Sequence, residues 1–184
     1  MNHRWIVLPL LLCLGLLVAV IAMLAYLIQE RFQIKIPTIK TNTGAIRRLA
    51  ETLPFVGSDV VIDLGSGNGS TLFAFETTAR VHAIGYELSI VPFLISTIRK
   101  NLNGYSATIR RESFLSADLS EATYIYTYLY PHMMERLVPI MERLLADGTR
   151  TLISCDFPLP GRTPQKKLSI KPHTFYLYGK SEGN

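Results

Sequence analysis

A chain of 184 residues has room for one domain and a small appendage. Its two cysteines supply neither a disulfide framework nor metal-ligand spacing, so no metal is expected. The net charge of +5 comes from scattered basic residues, with no run longer than the pairs Arg47-Arg48, Arg110-Arg111 and Lys166-Lys167, a pattern that argues against a nucleic-acid partner.

Residues 5–28, WIVLPLLLCLGLLVAVIAMLAYLI, contain no charged side chain. This run exceeds the roughly 20 apolar residues that a helix needs to cross a bilayer. A cleaved signal peptide would carry a shorter apolar core, about 7–15 residues, ending in a small-x-small site. Here Ala19, Ala22 and Ala25 are spaced by three, and Cys13 follows three leucines rather than small residues. Residues 1–28 therefore read as an uncleaved transmembrane anchor. Only Arg4 precedes it, whereas Arg31, Lys35, Lys40, Arg47 and Arg48 follow. By the positive-inside rule the protein is expected to be single-pass, with its body on the cytoplasmic side. Residues 29–42, which include Pro37 and show no periodicity, read as a juxtamembrane linker. Residues 43–184 form the body.

Within the body, apolar Ile46, Leu49, Ala50 and Leu53 recur at helical spacing, and Pro54 and Gly57 close that helix. Residues 59–64 suit a buried parallel strand. A helix is expected over about 70–80, a strand over 81–86, a helix over about 91–102, and strands over 107–111 and 124–128. A helix over 133–145 stops at Asp147-Gly148, and a strand over 149–154 follows. The runs 167–170 and 174–178 are close in sequence and should pair antiparallel at a sheet edge. Strands alternating with helices imply right-handed βαβ units and an α/β fold.

The chemistry concentrates in VIDLGSGNGS, residues 61–70. Alternate glycines let the main chain turn sharply and approach a ligand without a Cβ in the way. The dinucleotide fingerprint G-x-G-x-x-G/A fits imperfectly, because Ser70 occupies the third slot. Asp63, two residues before Gly65, would be a poor neighbour for a pyrophosphate and a good one for a cationic amino-acid head. Glu87 lies 20 residues after Gly67, at the end of the second strand, where a carboxylate can accept both hydroxyls of a ribose.

Asp63-x-Gly65-x-Gly67-x-Gly69 and Gly85-Tyr86-Glu87-Leu88-Ser89 resemble the first two motifs of class I S-adenosylmethionine (SAM) methyltransferases. With Pro37-Thr38, Asp118-Leu119-Ser120, Tyr128-Leu129-Tyr130-Pro131 and Phe157-Pro158-Leu159-Pro160 in order, the chain resembles a narrower group. These are the membrane-associated protein-lysine methyltransferases related to the mitochondrial enzyme for the ATP-synthase c subunit, and their bacterial homologues. The resemblance implies a Rossmann-like seven-stranded sheet with helices on both faces, preceded by the transmembrane helix. It implies SAM as cofactor, held by Asp63, Gly65, Ser66, Gly67, Asn68, Gly69, Glu87 and Leu88. The family usually carries a Gly-Asp pair after strand three to reach the adenine, where this chain has Glu112-Ser113, so either residue stands as the adenine contact. Methyl acceptors enter by the mouth after strand four, which makes Tyr128 and Tyr130 the acceptor-side candidates. Tyr124 and Tyr126 are expected to cover one sheet face, His132 to be exposed, Glu135, Glu142 and Arg143 to be solvated, and Cys155 to be packed.

SAM implies methyl transfer, in which positioning of nucleophile and methyl group dominates. A short body with no lid inserted suits a macromolecular acceptor, and the anchor favours a protein lysine at the membrane. A lipid-like small acceptor and a non-catalytic SAM or nucleotide module are the alternatives.

Overall fold

The computed structural model describes residues 4–33 and 41–179 and divides into two units, 1–37 and 38–184. Residues 34–40, which hold Pro37-Thr38, Lys35, Lys40 and half of the expected linker, lie outside the described residues.

The first unit is a single helix, α1 (Arg4–Gln33). Its stretch Val7–Gln29 has a mean hydropathy of 3.0 and buries none of its surface within the chain. A membrane span or an N-terminal signal segment has this length and composition. Helix α1 continues to Gln33, past the end of the uncharged run.

The second unit follows the order α2 (Thr43–Thr52), β1 (Val60–Leu64), α3 (Ser70–Ala79), β2 (His82–Tyr86), α4 (Ile90–Asn103), β3 (Thr108–Arg110), β4 (Tyr124–Thr127), α5 (Pro131–Leu144), β5 (Thr151–Cys155), β6 (Lys166–Ile170) and β7 (His173–Gly179). Its seven strands form one sheet in the order β3-β2-β1-β4-β5-β7-β6. Strands β3, β2, β1, β4 and β5 are parallel, whereas β7 pairs antiparallel with both β5 and β6. The hairpin closes the sheet edge, as the spacing of the last two runs predicts. The strand order reverses between β1 and β4, which in open α/β sheets is where a ligand crevice forms beyond the carboxyl ends.

Side-chain alternation sorts the layers. Val61, Tyr126, Ile153, Cys155, Phe175 and Leu177 face one core together with Ala45, Ile46 and Leu49 of α2 and Phe75 of α3. Ser154, one residue out of phase with Ile153, instead sets its hydroxyl 3.9 Å from the Met134 sulfur of α5. Helices therefore cover both faces. Asn42 caps α2, its side-chain oxygen accepting the Ala45 N–H at 3.0 Å. Pro131 opens α5 two residues earlier than periodicity predicts, because proline's fixed φ and missing N–H suit a first helical position. That shift leaves Tyr128, Leu129 and Tyr130 as a short loop between β4 and α5.

Candidate functional site

The glycine loop joins the end of β1 to α3. Gly65, Gly67 and Gly69 all take left-handed conformations, with φ of 81°, 55° and 78°. A Cβ on Gly69 would lie 2.6 Å from the Phe73 ring, so the residue is needed for both its conformation and its lack of bulk. Gly85 in β2 performs a complementary task. A Cβ there would meet the Ser66 Oγ at 2.6 Å, and the Ser66 side chain packs into the space that Gly85 leaves bare.

The loop's amides are largely satisfied from within. Gly65 and Ser66 both donate to the Tyr86 carbonyl, at 2.9 and 3.0 Å, and Gly69 donates to the Ser66 carbonyl at 2.9 Å. Gly67 donates to Glu87 Oε2 at 2.9 Å, and Ser89 donates to Glu87 Oε1 at 2.7 Å. A phosphate site works by aiming free N–H groups at its anion. This loop presents bare backbone beside two carboxylates instead. Asn68 closes the turn by accepting from Ser70 N–H and Ser70 Oγ–H at 3.2 and 2.8 Å. Arg99 of α4 locks it from outside, its Nη1 donating to the Asn68 carbonyl and to Ser70 Oγ, both at 2.8 Å.

Asp63, at the β1 end, is 3% exposed. Burial, and then the nearby Glu87 charge, push its carboxyl up to about 8, and no donor offsets them. A buried carboxyl of this kind is poised to ionise against an incoming cation. Bare glycine backbone, a carboxyl awaiting a cation and a second carboxylate 20 residues after Gly67 are the kind of arrangement that suits an amino-acid head and a ribose. Leu88 is exposed beside Glu87, and its apolar side chain suits the flat face of a base. After β3, Glu112 is exposed, while Ser113 is partly covered and its Oγ accepts the Leu115 N–H at 3.4 Å.

A second cluster lies where β4, β5 and β7 end. Tyr126 is buried and Tyr124 half-buried, with the Tyr124 ring centroid 4.4 Å from that of Phe55, so both serve the core. Tyr128 and Tyr130 lie beyond β4, and each ring stands 6.1 Å from Phe157. Asp156 follows β5 in a left-handed conformation, φ 58°, unusual for a residue with a side chain. Its Oδ1 accepts the Thr174 N–H at 2.9 Å, and its Oδ2 lies 2.7 Å from His173 Nδ1. The Asn42 N–H donates to His173 Nε2 at 3.0 Å, so Nε2 is the acceptor and Nδ1 carries the proton toward Asp156. Tyr128 stands beside this pair, its ring centroid 5.4 Å from that of His173. Burial alone would raise the Asp156 carboxyl, but the bonds from Thr174 and His173, with the Tyr128 hydroxyl nearby, hold it below the usual carboxylate range. Burial and the Asp156 contact together raise the Tyr128 phenol, keeping it protonated.

Donor atoms of Cys155, Asp156 and His173 lie within 4.8 Å of one another. Both ring nitrogens of His173 are already used, Asp156 and His173 are bonded to each other, and burial holds the Cys155 thiol well above its usual range. His132, Glu135, Glu142 and Arg143 are exposed, as expected from their helix pattern.

Asp156 and His173 were not singled out by sequence reasoning as acceptor-side groups. They stand 17 residues apart and meet only because β7 runs antiparallel to β5, with Cys155 opposite Phe175. Asp156 at a strand end was visible, but no local spacing joins it to a histidine in the hairpin.

Comparison with known proteins bears on the chemistry. A family model described as the ANTKMT methyltransferase domain matches residues 63–166, from the glycine loop to the start of β6. A protein-lysine N-methyltransferase of Saccharolobus islandicus (strain REY15A) is 30% identical over 150 residues, covering 78% of this chain and 92% of that one. Among solved structures, an RNA methyltransferase from Salinibacter ruber bound to S-adenosyl-L-homocysteine aligns with a TM-score of 0.71 and 26% identity, over 79% of this chain and 96% of that one. A ribosomal protein L11 methylase from Lactobacillus delbrueckii subsp. bulgaricus shares the fold, with a TM-score of 0.63 and 15% identity, over 80% and 83% of the two chains. A glycine loop flanked by buried Asp63 and hydrogen-bonded Glu87, on a sheet shared with these proteins, makes this chain a SAM-dependent methyltransferase that belongs to the ANTKMT methyltransferase family.

Proposed function

We propose that the protein methylates lysine in a membrane-associated polypeptide. The observation that carries this reading is the Tyr128–Asp156–His173 cluster, set at the strand ends beyond β4, β5 and β7. SAM supplies an electrophilic methyl group on a sulfonium. In this reading Asp63 receives its ammonium, Glu87 its ribose hydroxyls, and Gly65, Ser66, Gly67, Asn68 and Gly69 the turn that brings backbone against it. Leu88 lies against the adenine, with Glu112 and Ser113 at its edge.

A lysine reaches the site as an ammonium and must shed a proton and solvent before it attacks. In this reading Tyr128 turns its O–H toward the Asp156 carboxylate, so that the phenol oxygen accepts an N–H of the amine and aims its lone pair. Asp156 and His173 act through Tyr128 as positioning residues, because their own hydrogen bonds are filled. The rings of Tyr128, Tyr130 and Phe157 give the amine an aromatic wall and exclude water from it. The link from β3 to β4 contains no helix among the described residues, so no inserted element covers the mouth. An open mouth suits a side chain presented by a polypeptide.

Membrane association rests on the apolar stretch Val7–Gln29 of α1. As an anchor it would confine enzyme and substrate to one surface and raise their effective concentration. The basic residues following it favour a cytoplasmic body, where SAM is made. The domain division that goes with this reading is an anchor over 1–28, a linker over 29–42 and the methyltransferase domain over 43–184.

The test is incubation of the full chain and tritiated SAM with membranes from cells lacking the protein. Label in an integral membrane polypeptide is expected. Label confined to the lipid extract would support a lipid-like acceptor, and label removed by ribonuclease would support RNA. No transfer despite SAM binding would point to a non-catalytic module.

A further inference from the structure

Helix α4 turns its apolar side outward. Of its residues Ile90–Asn103 only Ser96 is buried, while Leu94, Ile95, Ile98 and Leu102 are 44%, 44%, 56% and 80% exposed. At about 100° per residue these four fall within an arc of about 100° of the helix, and half-buried Val91 joins them. Ser96, Phe93 and Arg99 project from the other side, where a Cβ on Gly69 would lie 3.2 Å from Ser96 Cβ and the Arg99 guanidinium stands 5.6 Å from the Phe73 ring centroid. The exposed arc therefore has no packing role within this unit. The charges on α4 itself are one-sided, Arg99 and Lys100 with no Asp or Glu; beyond the helix stand Glu87 and Glu112, and Arg110 is paired with Glu121 at 3.2 Å.

An apolar stripe on a helix whose only charged residues are Arg99 and Lys100 matches an element that lies in the headgroup plane of an anionic bilayer. We propose that α4 is such an element: its Leu94, Ile95, Ile98 and Leu102 face rests on an anionic lipid surface. The proposal rests on the membrane-associated reading and goes beyond it, because it assigns a second contact with lipid, made by the catalytic unit itself. The consequence is orientation. Arg99 binds α4 to the Asn68 carbonyl and Ser70 Oγ of the cofactor loop, so a seated α4 fixes the direction in which the methyl-transfer mouth faces.

The experiment uses the full chain with Cys13→Ser, leaving only the buried Cys155, and an environment-sensitive fluorophore on Leu102→Cys. A second preparation carries the fluorophore on Glu142→Cys, on the exposed face of α5. Both are reconstituted with vesicles of phosphatidylcholine, or of phosphatidylcholine with phosphatidylglycerol, whose acyl chains are brominated. Retained SAM binding confirms that each labelled chain is folded. The expected result is about twofold or greater quenching at 102 in the anionic vesicles, less in the neutral ones, and none at 142. Chains that float with the vesicles yet show no quenching at 102 would overturn the proposal and leave membrane association standing. Chains that do not float at all would overturn both. Shielding at 102 that depends on protein concentration and not on bromine would assign the face to a second copy, and would overturn it too.

Discussion

The Gly67 N–H points at Glu87 Oε2 across 2.9 Å, so the carboxylate that ends β2 also holds the turn that follows β1. In the proposed reading the same group has two duties, bracing the loop and accepting the ribose hydroxyls. Glu87→Gln keeps one acceptor and loses the other, and should weaken SAM binding by about tenfold, as expected for a charge-assisted hydrogen bond. It also removes the second of the two causes that raise the Asp63 carboxyl, so the pH midpoint of binding should move to lower pH. Calorimetric titrations with SAM between pH 6 and 9 measure both.

With Asp63 receiving the SAM ammonium as proposed, SAM binding should be proton-linked. The Asp63 carboxyl titrates near 8 in the free protein, above the ordinary carboxylate value, and a bound ammonium lowers it. Below that point binding releases a proton, so affinity should rise with pH toward 8. Above it the gain should stop, because the ligand's own α-amino group loses its charge near about 7.7–8.0. Asp63→Ala should remove this dependence and cost about 1.5–3 kcal/mol of binding. The raised carboxyl also means that the ligand-free protein is most stable below the unfolded value and loses stability as pH rises through about 8. Asp63→Asn should abolish that loss, which spans the range from the ordinary carboxylate value up to about pH 8, in thermal melts.

Asp156→Asn should separate transfer from cofactor binding. The amide oxygen can still accept the Thr174 N–H, but its NH2 meets the His173 Nδ1–H donor and no longer draws the nearby Tyr128 O–H toward a carboxylate. Misdirecting Tyr128 should lower kcat by on the order of a hundredfold while the SAM Kd stays near its original value. Tyr128→Phe, which removes the acceptor oxygen and keeps the ring, should reproduce the loss. Equal losses in kcat and SAM affinity would place this cluster on the cofactor side.

Gly85→Ala tests the packing beneath the loop. The new methyl would press on the Ser66 Oγ and on Leu72 Cδ2, 2.6 and 2.9 Å away, inside a buried strand. Overpacking of this kind costs about 1–3 kcal/mol, read as a lower midpoint in urea melts.

Most of the fold was legible because its signals are local. Alternation, helical spacing and the glycine loop fix β1, α3 and β2 almost to the residue, and Asp63, Gly67 and Glu87 were readable as one constellation from spacing alone. Boundaries failed where tertiary contact or proline geometry decides them. Strand β5 runs to Cys155 because that residue pairs with Phe175, and α5 begins at Pro131. The Asp156–His173 pair was not legible, since it depends on the hairpin's register across the sheet. The outward face of α4 was hidden for a different reason: periodicity reveals that a helix is amphipathic, not which side its neighbours cover.

The central claim is that the methyl group of SAM passes to the ε-amine of lysine in a membrane polypeptide. The direct measurement is acid hydrolysis of the protein labelled by the full chain and tritiated SAM, followed by amino-acid chromatography of the hydrolysate. The account predicts radioactivity in ε-N-methylated lysine, absent when Tyr128→Phe or Asp63→Ala replaces the original chain. Radioactivity in any other amino acid, or none in protein while lipid or RNA is labelled, would contradict it.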